Sequence, residues 1–218
     1  MRASIVMFPG INADQEMIRT LRDLCGFDVS VVWHSDTSLA DRTDLVVIPG
    51  GFSYGDYLRC GALARTSPIC PAIRQHATRG GYVLGVCNGF QILTEIGLIE
   101  GALTRNAQLR FECREVLVKV TAEGPFTPRV GETWKLVIAH GEGRYQASAE
   151  TFKRLEGEGR LALRYEVNPN GSMGSVAGVY GGPKKNVFGL MPHPERTSET
   201  ILGSADGMKL FLAVARAA

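Results

Sequence analysis

The segment Gly85-Val86-Cys87-Asn88-Gly89 decides how the first half of this chain is expected to fold. It has the form G-x-C-x-G, follows an apolar run at residues 82–86, and precedes apolar residues that recur at helical spacing. A strand that turns sharply into a helix is the setting of the G-x-S-x-G nucleophile elbow, here with cysteine in place of serine. The pattern therefore predicts that Cys87 projects over the edge of a sheet at the N-terminus of a helix.

Strand and helix signals alternate on the N-terminal side of this elbow. Three apolar runs predict strands, at residues 4–8, 29–33 and 45–48. Helical spacing appears at residues 17–25, where Gly26 would end the helix, and at about residues 72–78. This alternation favours an α/β fold whose parallel sheet is covered on both faces.

The second half of the chain is richer in β signals. Residues 109–120, 134–139, 161–167 and 176–180 predict antiparallel additions to the same sheet, and Asp206 is placed to cap a last helix at residues 207–216. No Pro-, Ser- or charge-rich linker divides the chain, so we expect one domain over residues 1–218.

Composition excludes several classes of protein. The 24 Lys and Arg residues nearly balance the 22 Asp and Glu residues, which gives no support to nucleic-acid or membrane-surface binding. The chain has no apolar stretch long enough for a membrane span, and its first residues do not resemble a signal peptide. The five cysteines are odd in number and form no C-x-x-C pair, so we expect neither a disulfide framework nor a metal site, and a cytoplasmic location.

Cys87 is the candidate nucleophile among these cysteines. The positive end of the following helix stabilises a thiolate, and the free N–H of Asn88 could hold an oxyanion. The alternative is that Cys87 is a small buried hydrophobic residue, as most cysteines are. We expect Cys25 and Cys113 to lie in the core, and we assign no chemistry to Cys60 and Cys70.

His193 is the candidate base. It lies in Met191-Pro192-His193-Pro194-Glu195, where the prolines should keep the segment extended and let His193 and Glu195 project to the same side. A cysteine nucleophile needs such a histidine, and the histidine needs a carboxylate to fix its tautomer. Two alternatives to this role remain: the segment is only a stiff surface loop, or His140 is a rival base. His34 and His76 have no evident partner.

A glycine-rich loop follows the strand at residues 45–48. It reads Pro49-Gly50-Gly51-Phe52-Ser53-Tyr54-Gly55-Asp56 and could lend a second oxyanion donor, the N–H of Gly51. It lacks the Walker A pattern and G-x-G-x-x-G, so it is a weak phosphate-loop candidate, and a plain turn is the alternative.

These motifs together resemble a known family. Cys87-Asn88-Gly89-Phe90-Gln91 resembles the C-x-G-x-Q signature of class I (triad) glutamine amidotransferases, and the segment around His193 resembles their H-P-E segment. Three further runs, at residues 50–59, 139–145 and 168–172, are similar to the separate glutaminase subunits of phosphoribosylformylglycinamidine synthases, from purine biosynthesis. The similarity extends over essentially the whole chain.

The resemblance implies a flavodoxin-like doubly wound sheet and hydrolysis of glutamine to glutamate and ammonia. It makes Cys87, His193 and Glu195 the catalytic residues and Gln91 a substrate contact. Ammonia would pass through a channel to a large synthetase subunit, which would use ATP and magnesium, and a small third subunit would complete the complex. It implies no cofactor bound by this chain itself.

One segment departs from the family pattern, because Ile11-Asn12-Ala13-Asp14 stands where Ser-Asn-Cys-Asp is common. Two other functions remain open. One is a different cysteine hydrolase of the same fold, such as a γ-glutamyl hydrolase or a DJ-1/PfpI-like enzyme, and the other is a binding subunit whose site has decayed.

Overall fold

The computed structural model describes all 218 residues and contains eleven strands. Numbered along the chain, they are β1 (Arg2–Met7), β2 (Asp28–Trp33), β3 (Leu45–Ile48), β4 (Tyr82–Val86), β5 (Ala102–Thr104), β6 (Glu112–Val120), β7 (Thr133–His140), β8 (Arg144–Gln146), β9 (Leu161–Tyr165), β10 (Val176–Gly181) and β11 (Val187–Leu190). Nine of them form one sheet in the order β2-β1-β3-β4-β11-β10-β9-β6-β7, and β5 pairs with β8 separately.

One half of the large sheet is parallel. The neighbours β2, β1, β3, β4 and β11 all run in the same direction, in the flavodoxin-like order. Every residue of β3 and of β11 is buried, because helices cover both faces of a parallel sheet. The predicted α/β class and doubly wound topology are confirmed.

The other half is antiparallel, as predicted for the second part of the chain. Strand β10 pairs with β11 and β9, and β6 lies between β9 and β7. Strand β6 begins at Glu112 rather than at residue 109, because Leu109 has a φ of +56°, which an extended strand excludes. Cys113 was expected in the core but is exposed, since this end of β6 pairs with β7 alone and projects beyond β9.

Five α-helices complete the fold: α1 (Asp14–Arg19), α2 (Cys70–Thr78), α3 (Asn88–Glu95), α4 (Ala149–Gly157) and α5 (Met208–Ala217). A π-helical turn at Thr20–Leu24 extends α1 almost to Gly26. Helix α4, capped by the Ser148 hydroxyl, was not predicted. The prediction that Asp206 caps α5 is wrong, because its carboxylate accepts the Lys135 N–H at 2.8 Å and pairs with Lys209.

A single cluster of 54 buried residues forms the core and runs from β1 to α5. No helix is both long and apolar enough to cross a membrane. No group of three or more His, Cys, Asp or Glu side chains is arranged to hold a metal ion.

Candidate active site

Cys87 occupies a strained turn between β4 and α3. Its φ and ψ are 52° and −106°, a conformation that non-glycine residues rarely adopt and that points to a functional constraint. The close packing behind it needs glycine, because a Cβ on Gly89 would lie 1.9 Å from the carbonyl oxygen of Ile48. The sequence thus builds the predicted elbow, with the cysteine at the carboxyl edge of the sheet.

Loops from neighbouring strands meet at this edge. After β1, the N–H groups of Asn12 and Ala13 both donate to the Gly50 carbonyl, at 3.3 and 3.1 Å. The segment that departs from the family pattern therefore holds the glycine loop through its backbone rather than through polar side chains. Gly51 has a φ of +154°, and a Cβ there would lie 2.5 Å from Cα of Ile11, so only glycine fits.

Two N–H groups near Cys87 are free of backbone partners. The Gly51 N–H donates no hydrogen bond within the chain. The Asn88 N–H is the first of helix α3 and has no intrahelical acceptor. Both residues are therefore available as oxyanion donors, the role that the sequence predicted for them.

The side chain of Asn88 fixes the glycine loop to the elbow. Its Oδ1 accepts the Ser53 N–H at 3.0 Å, and its Nδ2 donates to Asp56 Oδ1 at 3.3 Å and to Gln91 Oε1 at 2.8 Å. Because Asn88 is fully buried, this arrangement is shielded from solvent. One side chain thus ties the two candidate oxyanion donors into one rigid unit.

His193 and Glu195 form a buried pair beside the elbow. Nδ1 of His193 lies 2.5 Å from Oε1 of Glu195, and the two side chains are 3% and 0% exposed. The whole segment was expected to be extended, and this expectation is wrong. His193 is extended, but Pro194–Thr197 forms a short 3-10 turn that brings the Glu195 carboxylate to the His193 ring. The His193 N–H donates to the Val137 carbonyl at 2.8 Å, which anchors the segment to β7.

The electrostatics of His193 favour its charged form. Burial alone would lower the pKa of the imidazole, but the Glu195 carboxylate and a Cys87 thiolate together raise the pKa well above its usual range. Nε2, the nitrogen opposite Glu195, has no hydrogen-bond partner. Cys87 and His193 line the same small cavity of about 110 Å³, so Nε2 is the atom available to exchange a proton with the thiol.

The rival base His140 lies close by in a different setting. Its Nδ1 donates to Asn106 Oδ1 at 3.1 Å, an amide oxygen rather than a carboxylate. Burial, with a smaller contribution from charged His193, lowers the pKa of His140 to about 4. Without an acid to stabilise its charged form, His140 is the weaker candidate base.

A second cavity, of about 230 Å³, opens beside Cys87 and is lined by both Gln91 and His140. The Gln91 amide accepts from Asn88 and donates to the Glu142 carbonyl at 2.6 Å. Gln91 thus lies where a substrate contact was predicted, and that contact stays a prediction.

Sequence reasoning missed other side chains at this cavity. Asp56, Cys60 and Glu142 all line it. Asp56 and Glu142 belong to motifs that the sequence singled out, but they are far apart in the chain, and only the fold brings them together. Among the remaining histidines, His34 bonds to the Tyr54 hydroxyl at 2.9 Å and has a structural partner after all.

A comparison with family models matches residues 1–209 to the CobB/CobQ-like glutamine amidotransferase domain. Among curated proteins, the chain is 51% identical to phosphoribosylformylglycinamidine synthase subunit PurQ of Bradyrhizobium diazoefficiens, over 99% of this chain and 97% of that protein. It is 52% identical to the protein of the same name from Cereibacter sphaeroides, over 98% and 97%.

Two solved structures are similar to this chain. A chain of the Thermotoga maritima PurLQS structure is 41% identical and superposes with a TM-score of 0.90, covering 99% of this chain and 98% of that one. A glutamine amidotransferase of Thermotoga maritima, 14% identical with a TM-score of 0.62 over 100% and 83% of the two chains, shares the fold.

Proposed function

This chain belongs to the CobB/CobQ-like glutamine amidotransferase family, and we propose that it is the glutaminase subunit of a phosphoribosylformylglycinamidine synthase. The observation that carries the proposal is the convergence of the strained Cys87, the buried His193–Glu195 pair and two free N–H groups at one sheet edge. This is the set of groups that acyl transfer through a cysteine requires.

The geometry supports a sequence of proton transfers. Cys87 attacks the side-chain amide carbon of glutamine as a thiolate, and His193 Nε2 carries the thiol proton to the departing ammonia. The resulting thioester is then hydrolysed by a water molecule that His193 activates. Glu195 holds the imidazole orientation through both steps and stabilises its positive charge.

The oxyanion of each tetrahedral intermediate would lie between the N–H groups of Gly51 and Asn88. Because both groups are fixed by the surrounding backbone and by the Asn88 side chain, they need little reorganisation during the reaction. Loss of one such donor in other acyl-transfer sites costs about 3 kcal/mol of barrier.

The partners follow from the relatives. The Thermotoga maritima structure is named for PurL, PurQ and PurS together, and the curated relatives are named as subunits of the synthase. We therefore assign ammonia transfer to a large synthetase subunit, with a small third subunit in the complex. ATP and magnesium would be used by the synthetase subunit to make formylglycinamidine ribonucleotide from formylglycinamide ribonucleotide.

A cytoplasmic location fits the five free cysteines, which form no disulfide.

The comparisons give no support to a γ-glutamyl hydrolase or a DJ-1/PfpI-like enzyme. The third possibility, a binding subunit with a decayed site, disagrees with a site that retains nucleophile, base and carboxylate.

The proposal is tested by ammonia release from glutamine, measured for this chain alone and after co-purification with the synthetase subunit. We expect the complex to release ammonia faster, since coupling to the partner limits wasteful hydrolysis by the free subunit. An electrophilic glutamine analogue should label Cys87, as read by mass spectrometry. Failure to label Cys87, with no ammonia from the assembled complex, would refute the proposal.

A further inference from the structure

A cavity away from the catalytic edge lies between α2 and the loop that joins β2 to β3. Its volume is about 300 Å³, at the lower end of the range of small-molecule sites. Two arginines line it, Arg42 shortly before β3 and Arg79 shortly before β4. Because Cys87 follows the opposite end of β4, the arginines lie roughly one strand length, about 16 Å, from the catalytic edge. A ligand bound between them would therefore leave the active site free.

The two guanidinium groups at this cavity have no carboxylate partner. Neither Arg42 nor Arg79 takes part in an ion pair, and no Asp or Glu lines the cavity. Arg74, on the same helix, differs because its Nε donates to the Ile96 carbonyl at 2.9 Å. His76 also lines the cavity, but burial lowers the pKa of its imidazole and favours the neutral form. The cavity thus holds two positive charges and no negative one.

Charged groups close to the cavity leave it electropositive. Asp41 and Asp44 are near Arg42 in the chain, but neither of them lines the cavity. A Cβ added to Gly80 would lie 3.7 Å from Nζ of Lys184, so a third cation lies close to the end of α2. The field inside the cavity therefore favours an anionic ligand.

Neutral donors and an apolar wall complete the cavity. The exposed side chains of Thr37, Ser38 and Gln75 line it and offer O–H and N–H donors. Leu39 and Ala72, both half-buried, supply apolar surface. Two arginines with additional donors suit an anion that has at least three acceptor oxygens, as a phosphate group has, better than a carboxylate with two.

We propose that the cavity between Arg42 and Arg79 binds a phosphate group, which belongs either to free phosphate or to a small phosphorylated metabolite. Each planar guanidinium can donate two parallel N–H bonds to phosphate oxygens, and a dianionic phosphate balances both positive charges. The bound group would join α2 to the loop before β3 and stabilise the native state by mass action. This site does not depend on the glutaminase reaction proposed above.

Isothermal titration calorimetry of the full chain with ribose 5-phosphate, inorganic phosphate and ribose tests the proposal. Ribose lacks only the phosphate group of the first ligand. Arg42→Gln and Arg79→Gln each remove one guanidinium and keep a polar side chain. Arg65→Gln is the matched control, because Arg65 is also exposed and lies outside the cavity. Thermal melts without ligand check that every variant is folded.

The wild type and Arg65→Gln should bind ribose 5-phosphate with a Kd below about 1 mM, and ribose should not bind at about ten times that concentration. Each of the two cavity variants should weaken the binding of ribose 5-phosphate by about tenfold or more, with little change in Tm. Inorganic phosphate that binds as tightly as ribose 5-phosphate would identify free phosphate as the ligand, and weaker binding would identify a phosphorylated metabolite. The proposal would be overturned if neither phosphate compound bound, or if folded Arg42→Gln and Arg79→Gln bound them as tightly as the wild type.

Discussion

Nδ1 of His193 lies 2.5 Å from Oε1 of Glu195, although only one residue separates the two in the chain. The short turn that begins at Pro194 folds the carboxylate back onto the imidazole, and both side chains are excluded from solvent. A carboxylate buried in this way strongly favours the tautomer that carries hydrogen on Nδ1. It thereby leaves Nε2 free to face the thiol of Cys87, and we expect the reactivity of the site to depend on this contact.

Replacing Glu195 with Gln should lower kcat by about 10² to 10⁴-fold, because an amide can donate to Nδ1 and favour the wrong tautomer. KM for glutamine should change little, since Glu195 does not line either cavity beside Cys87. Steady-state ammonia release by the complex measures both constants. Glu150→Gln, a surface carboxylate on α4, should behave as the wild type, and a Glu195→Gln enzyme of normal kcat would show that His193 needs no orienting acid.

Cys87→Ala should abolish glutamine-dependent synthesis, by at least about 10⁴-fold, while the complex keeps its activity with free ammonium. The reason is that the thiol is needed only to release ammonia, not to use it. Product formation with each nitrogen source is the measurement. Cys113→Ala removes an exposed cysteine on β6 and should leave both activities intact. Loss of both activities in an assembled Cys87→Ala complex would assign Cys87 a structural role.

The glycine at position 50 separates the nucleophile from the base. A Cβ there would lie 2.6 Å from Cε1 of His193 and 3.4 Å from Cβ of Cys87. Gly50→Ala should displace the imidazole and lower kcat by about 100-fold, since a displacement near 1 Å is enough to cost that much.

The control for this variant is Gly157→Ala at the end of α4, where an added Cβ meets nothing within 4 Å. It should keep full activity and gain about 0.5–1 kcal/mol of stability, as alanine replaces glycine in a helix. Thermal melts and ammonia release of both variants separate the two effects. If Gly50→Ala retained wild-type kcat, the close approach of His193 to this backbone would have no catalytic importance.

Local patterns in the sequence were sufficient for much of the fold. The elbow at Cys87 and the apolar runs of the parallel strands depend on neighbouring residues, so spacing and turn chemistry predict them. The pairing of His193 with Glu195 also lies within a few residues. The structure places these groups at one edge of the sheet, and their catalytic roles stay predictions.

The features that could not be predicted depend on distant parts of the chain. Cys113 has the alternation of a buried strand, but its exposure is decided by where β9 ends beside β6. Asp206 has the residue type of a helix cap, yet its carboxylate bonds to a backbone N–H of β7. Asp56 and Glu142 lie in separate motifs, and only the folded chain shows that they share one cavity.

His140 gives the stability of the protein a defined dependence on pH. Burial, more than the nearby charge of His193, lowers the pKa of its imidazole from 6.5 to about 4. Between these two values the unfolded chain binds a proton that the native protein does not. The contribution of His140 to stability is therefore complete above about pH 6.5, and it is lost as the pH falls toward 4.

His140→Gln should remove this dependence, because glutamine does not titrate. The wild type should be the more stable of the two at pH 6.5, and its advantage should shrink by up to about 2 kcal/mol at pH 5, at about 1.4 kcal/mol per pH unit. Urea unfolding at the two pH values measures the difference. Thr127→Val, which removes a buried hydroxyl bonded to Tyr180, should cost the same free energy at both pH values, because threonine carries no titratable proton. If the difference in unfolding free energy between the wild type and His140→Gln stayed constant, or grew in acid, it would show that His140 is charged in the native protein near pH 6.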